Sequence, residues 1–98
     1  MGTTSADQAV HIFKGIPFAA PPVGDLRWQA PRPVSDWQGI KDCTSFSASP
    51  IQNNPEPFLW WPEEFLAQPD PRSEACHVVA VWTTAKAKQA KQPVLGWI

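Results

Sequence analysis

The chain has 98 residues, a net charge of -1 and 17% charged residues. This length allows at most one domain, and the charge provides no basic surface of the kind that binds nucleic acid or anionic membranes. No apolar run approaches the roughly 18 residues of a membrane span, and the first residues lack the pattern of a signal peptide.

The first third of the sequence predicts a short strand followed by a segment, or path, without regular secondary structure. Residues 1–9 are small and polar, and we expect them to be disordered. Residues 10–13 alternate as a strand does, but the glycines and prolines of residues 13–28 exclude a helix or a central strand. This path ends at Arg27, which lies between two apolar residues. A guanidinium in such surroundings requires a carboxylate partner.

The middle of the chain is loop-rich, because many of its twelve prolines interrupt it. Residues 30–34 read as an extended, polyproline-like segment. Pro62 is suited to open a short helical turn, with Glu63 and Glu64 near its positive end. Trp60 and Trp61 precede this turn.

The last third contains two apolar runs. Residues 78–82 are continuously apolar and β-branched, which predicts a strand covered on both faces. Residues 93–98 are a second such run, which reaches the last residue without a stop signal. The lysines between the runs (Lys86, Lys88 and Lys91) have no interleaved aromatics and predict a solvated loop or helical turn. The isolated chain is therefore predicted to be a loop-rich, mostly β (α+β) fragment with at most one or two short helices.

The sequence contains few groups able to perform chemistry. It has no G-x-S-x-G elbow, glycine-rich phosphate loop or H-E-x-x-H motif. Cys76 and His77 are adjacent, and on a strand they point to opposite faces, which argues against a cysteine–histidine nucleophile. A metal site would require Cys43, Cys76, His11 and His77 to converge from loops, and ordinary packing is the alternative. We expect no catalytic residue, metal or cofactor in this chain.

The two cysteines leave two alternatives open. A disulfide between Cys43 and Cys76 would close a loop of roughly 30 residues and stabilise the chain in an oxidising compartment. The other alternative is a pair of free, partly buried thiols.

The motif of residues 13–28, FKGIPFAAPPVGDLRW, resembles the N-terminal segment of type-B carboxylesterases, which are α/β-hydrolases related to para-nitrobenzyl esterases and cholinesterases. Further segments follow the same family pattern: PRP at 31–33, WQGI at 37–40, DCT at 42–44, SEACHVVAVWT at 73–83 and PVLGWI at 93–98. The resemblance implies that residues 10–98 form the N-terminal segment of a hydrolase domain. It also implies that the chain stops before the glycines of the oxyanion hole and before the catalytic triad, and that it is inactive alone.

The family pattern assigns partners to some residues. It pairs Arg27 with Glu74, and it often bridges Cys76 to a cysteine whose position falls at about Pro50. Cys43 stands where the family usually has alanine. Four more positions depart from the pattern around the second cysteine, namely Ala75, His77, Val78 and Ala80.

The resemblance also implies a partner for the whole chain, which is the missing C-terminal part of the hydrolase. Without it, the strands at residues 78–82 and 94–98 would be exposed and prone to self-association. Family members are often secreted or periplasmic. Two other functions remain open from the residues themselves: a non-catalytic interaction module that uses residues 60–62, and a small stand-alone structural domain.

Overall fold

The computed structural model describes residues 1–69, 71–87 and 89–97, and it contains one three-stranded antiparallel sheet. Its strands are β1 (Thr3–Thr4), β2 (His11–Pro17) and β3 (Val78–Thr83), in the order β1-β2-β3. Two 3-10 turns, at Gly24–Leu26 and Glu63–Phe65, are the helical elements of this part of the chain. The chain is thus loop-rich and mostly β, as the sequence predicts.

Strand β2 is longer than the sequence predicts, because it continues through a bulge. Phe13 pairs with Val81 and Ile16 with Val79, and the register shifts between the two pairs. Gly15 lies in the bulge with φ at +67°, and a Cβ atom there would come within 2.6 Å of Ser47 Oγ. Pro17 ends the strand opposite Val78, a position where proline is tolerated. Glycine and proline therefore shape this strand instead of ending it at residue 13.

Of the two apolar runs in the last third, one forms a strand and the other does not. The first forms β3, as predicted. Val79, Val81 and Trp82 on it are exposed, as the family resemblance implies for the chain without its C-terminal part, so the cover on both faces that the apolar run indicates is not provided by the described chain. The second forms no strand over residues 93–97, and Ile98 lies outside the described residues. A strand needs a neighbour to satisfy its backbone groups, and the described part of the chain provides none for this run.

The N-terminal segment contributes to the sheet, whereas the sequence predicts disorder over residues 1–9. Thr3 pairs with Ile12, and the Ser5 amide donates to the Val10 carbonyl at 2.9 Å. The Cys43 amide donates to the Met1 carbonyl at 2.7 Å. Hydrophobic periodicity does not predict these backbone hydrogen bonds, because residues 1–9 are mostly small and polar.

The interior is very small. Ala19, Cys43 and Pro69 are the buried residues of the described chain. The radius of gyration is 16.2 Å, against about 13 Å for a compact domain of this length. Among the described residues no helix has the length and apolar character needed to cross a bilayer. Most of the large apolar side chains thus have no cover within the chain.

Candidate functional site

Arg27 and Glu74 join the two halves of the chain. Arg27 Nε donates to Glu74 Oε1 at 2.7 Å, and Arg27 Nη2 donates to Oε2 at 2.6 Å. This is the two-point geometry that a planar guanidinium provides and an ammonium does not. The structure thereby brings together the two residues that the family resemblance pairs.

The position of the arginine is set by local backbone structure. Arg27 follows the 3-10 turn Gly24–Leu26, and the Arg27 amide donates to the Gly24 carbonyl at 3.1 Å. Glu74 lies in a bend in which the Cys76 amide donates to its carbonyl at 2.9 Å. The side chains of the pair are 53% and 36% exposed. The pair is therefore a surface link between two bends and not a buried charge pair.

The charges of this pair shift each other's proton affinity. The hydrogen bonds from Arg27 lower the pKa of Glu74, and those to Glu74 raise the pKa of Arg27. Two further carboxylates are stabilised locally: hydrogen bonds from Ser5 and Ala9 lower the pKa of Asp7, and hydrogen bonds from Thr44 lower the pKa of Asp42. Each of these pKa shifts is caused mainly by hydrogen bonds within the chain, so none of them indicates a group that transfers a proton to a substrate.

His77 has a packing role in the structure. Its Nδ1 lies 3.2 Å from the Ala20 carbonyl oxygen, and its ring stacks on Phe18 with 5.5 Å between centroids. The Phe18 amide in turn donates to the His77 carbonyl at 3.1 Å. Cys76 lies in different surroundings, in a small cavity that Gly15 and Pro50 also line. The structure thus provides no geometry for a cysteine–histidine nucleophile.

The cysteines are both free thiols in the structure, which is the second of the two alternatives from the sequence. Cys43 is buried beside the N-terminal residues, because its backbone bonds to Met1 and Lys14. Cys76 instead shares its cavity with Pro50, the position to which the family pattern assigns the partner cysteine. A disulfide between Cys43 and Cys76 is not formed.

No cluster of metal ligands is present among residues 1–69, 71–87 and 89–97. His11 is exposed in β2, where it pairs with Thr83. Lys86 and Lys91 are exposed in loops, and Lys88 lies outside the described residues.

An open apolar groove of about 790 Å³ lies between β3 and residues 92–97. Val94, Leu95 and Trp97 on one side are each more than 90% exposed. Neither wall contains a histidine, a serine or a charged residue. The groove can therefore hold apolar chain, and it offers no group for acid–base or nucleophilic chemistry.

One functional candidate was missed by sequence reasoning. Trp28 adopts a left-handed backbone, with φ at +61°, and is 95% exposed. Tryptophan is not a residue type associated with positive φ, so no pattern in the sequence indicated it.

Comparisons with known proteins place the chain among esterases. The model of the carboxylesterase family matches residues 1–98. The chain is 34% identical over 95 residues to phenmedipham hydrolase of Pseudarthrobacter oxydans and 37% identical over 97 residues to cocaine esterase of Oryctolagus cuniculus. Each of these matches covers 94% of the chain and 18% of the relative.

Solved structures agree with this relationship. A PNB esterase superposes with a TM-score of 0.62 at 33% identity, covering 83% of this chain and 16% of that protein. Carboxylesterase EST55 of Geobacillus stearothermophilus superposes with a TM-score of 0.60 at 26% identity, covering 86% of this chain and 14% of that protein. The chain thus spans less than a fifth of the length of these relatives.

Proposed function

The chain belongs to the carboxylesterase family, and we propose that it forms the N-terminal part of a carboxylic ester hydrolase, to which it contributes structure and no catalytic group. The observation that carries this proposal is that 94% of the chain matches only 18% of each of two relatives. The chain alone is then inactive.

The chemistry of the described residues supports this role. Ester cleavage requires a nucleophile, a base and donors for the oxyanion, arranged together. The sequence has no nucleophile elbow, and the ring of His77 is occupied by packing against Phe18 and Ala20. The Arg27–Glu74 pair links two bends, and neither residue lines the groove beside β3 or the small cavity at Cys76. The chain is therefore suited to brace a larger hydrolase.

The proposal is tested by complementation. The chain would be co-expressed with phenmedipham hydrolase from which the matching N-terminal segment has been deleted, and hydrolysis of para-nitrophenyl acetate would be measured. We expect hydrolysis only when both polypeptides are present. Each polypeptide expressed alone is the control. Hydrolysis no faster than that of the deleted hydrolase alone would contradict the proposal.

In the absence of that partner, we propose that the chain self-associates through β3. This strand lies at one edge of the sheet, and Val79 and Val81 on it are 43% and 38% exposed. It carries no charge or proline of the kind that protects edge strands. An apolar, unprotected edge is a template for pairing with a second copy.

An interaction module remains the second candidate, because Trp60 is 83% exposed and Trp61 is 51% exposed. The Trp61 ring also packs on Phe65, with 5.7 Å between centroids. Affinity capture with the chain as bait distinguishes this candidate. A single stoichiometric partner unrelated to esterases would favour the module, whereas indiscriminate binding of chaperones would favour the hydrolase part.

A further inference from the structure

Trp28 has an unfavourable backbone conformation and is almost fully exposed among the described residues. Its φ of +61° lies in the left-handed region, where the side chain of an L-residue is crowded by its own backbone. The residue is nevertheless 95% exposed. Burial of an indole is among the largest apolar contributions that a side chain makes. In the isolated chain, Trp28 therefore carries the backbone strain without the benefit of burial.

The residues on either side hold this conformation. The Arg27 amide donates to Gly24, and the Gln29 amide donates to the Leu26 carbonyl, both at 3.1 Å. The Arg27 side chain is fixed at two points by Glu74. These hydrogen bonds thus fix the backbone on both sides of Trp28. A side chain held in this way loses little backbone freedom when it is bound.

We propose that Trp28 is an anchor that inserts into an apolar pocket on the remaining polypeptide of the esterase. This inference rests on the proposed function and adds the residue through which the two parts join. Tryptophan is one of the residue types enriched among the side chains that dominate interface energetics. Strain retained at an exposed aromatic residue is expected where a partner covers it.

The remaining polypeptide is the occupant that the observations favour. The chain spans 18% of the length of two relatives, so most of the family's polypeptide lies outside these residues. Within the described chain only Ala19, Cys43 and Pro69 are buried, and that interior is too small to receive an indole. A second copy of the chain presents the same small interior, and its open apolar groove beside β3 is the alternative acceptor, which the dimer measurement below tests.

The test compares Trp28→Gly with Leu59→Gly. Both replace an exposed apolar residue that has a positive φ: Leu59 has φ at +50° and is 74% exposed. Glycine adopts such a φ without crowding, so neither variant loses a favourable conformation, and far-ultraviolet circular dichroism of each variant alone verifies this. Each variant would be co-expressed with the deleted phenmedipham hydrolase, and the amount of hydrolase captured and its esterase activity would be measured.

We expect Trp28→Gly to lower the amount of captured hydrolase and its esterase activity roughly tenfold or more. Leu59→Gly should resemble the wild-type chain, and Trp28→Phe should retain part of the wild-type capture.

Capture by Trp28→Gly equal to that of the wild-type chain would overturn the role of Trp28 as an anchor while leaving the proposed function intact. Equal losses in both glycine variants would overturn it too, because general apolarity would then explain binding. Absence of capture by the wild-type chain would reject the proposed function and the anchor together. Trp28-dependent dimers of the chain alone in size-exclusion chromatography would assign the anchor to a second copy and overturn the proposal.

Discussion

Arg27 and Glu74 are 47 residues apart in sequence, and their side chains meet through two hydrogen bonds of 2.7 and 2.6 Å. Few other side-chain contacts among the described residues join such distant segments. The pair therefore fixes the relative position of the turn at Gly24–Leu26 and the bend that precedes β3.

We expect Arg27→Ala and Glu74→Ala to destabilise the chain to a similar, small extent, with the double variant losing less than the sum. Both side chains are more than a third exposed, so water solvates the partner left behind, and the losses are those of a surface pair and not of a buried one. Urea midpoints of the four proteins measure the coupling. Arg27→Lys keeps the charge but not the planar fork, and we expect it to recover little. Strictly additive losses would show that the pair is not coupled.

The pH dependence of stability follows from the lowered pKa of Glu74. In the folded chain this pKa lies below the ordinary carboxyl value of 4.5, so the folded state binds fewer protons than the unfolded state. The stabilisation is thus fully present above pH 4.5 and is lost as the pH falls through the folded-state value. Urea midpoints between pH ~6 and ~3 should decline, and Glu74→Gln should decline less.

A residual decline is expected in Glu74→Gln, because Asp7 and Asp42 also have lowered pKa values. Equal slopes in the wild type and in Glu74→Gln would contradict a contribution of Glu74 to acid stability.

A disulfide can be introduced at the position that the family pattern favours. Pro50 and Cys76 line one cavity, and nearby backbone bonds from Ser49 to Pro71 and from Ser73 to Ser49, both 2.9 Å, hold their segments together. We expect Pro50→Cys in a Cys43→Ser background to oxidise to one intramolecular disulfide. It would close a loop of about 26 residues and add about 3 kcal/mol of stability. The mass change on oxidation and the urea midpoints measure this.

The matched control for that variant is Cys43→Ser alone, which keeps a single thiol and cannot form an internal bridge. Retention of two free thiols after mild oxidation of the double variant would contradict the proximity of residues 50 and 76.

Gly15→Ala should destabilise the chain by about 2 kcal/mol, because a left-handed φ disfavours a side chain there and the new Cβ would meet Ser47 Oγ at 2.6 Å. Gly96→Ala is the control: no heavy atom lies within 4 Å of its Cβ position, and it has no positive φ. We expect that variant to be unchanged or slightly more stable. Similar losses in the two variants would show that the bulge of β2 is not the cause.

Val81→Lys should increase the monomeric fraction of the isolated chain, because it places a charge on the exposed edge strand β3. Size-exclusion chromatography with light scattering measures the effect. Thr84→Lys, just beyond the strand, is a control for net charge and solubility. If both lysine variants reduce association equally, the edge of β3 is not the surface that associates.

The sequence predicts some elements well for reasons that are local. Strand β3 is recognised because its apolar residues are contiguous, and the turn Glu63–Phe65 because Pro62 and the two glutamates define its start. The family motif supplies the pairing of Arg27 with Glu74, which no local pattern could give, since the pairing depends on chain folding over 47 residues.

Other features depend on contacts that a sequence pattern does not contain. The extension of β2 to Pro17 relies on a bulge at Gly15, although glycine and proline ordinarily mark strand ends. Residues 93–97 have the composition of a buried strand but lack a neighbouring strand among the described residues. Trp28 has a positive φ, which its residue type disfavours, so no sequence pattern predicts that conformation.

The small interior has a consequence for how this chain unfolds. With Ala19, Cys43 and Pro69 as the buried residues of the described chain, unfolding exposes little apolar surface that is not already in contact with water. The heat-capacity increment and the denaturant slope both scale with newly exposed surface. We therefore expect a broad urea transition with a shallow slope in the isolated chain, and a steeper one once its aromatic side chains are enclosed by a larger body.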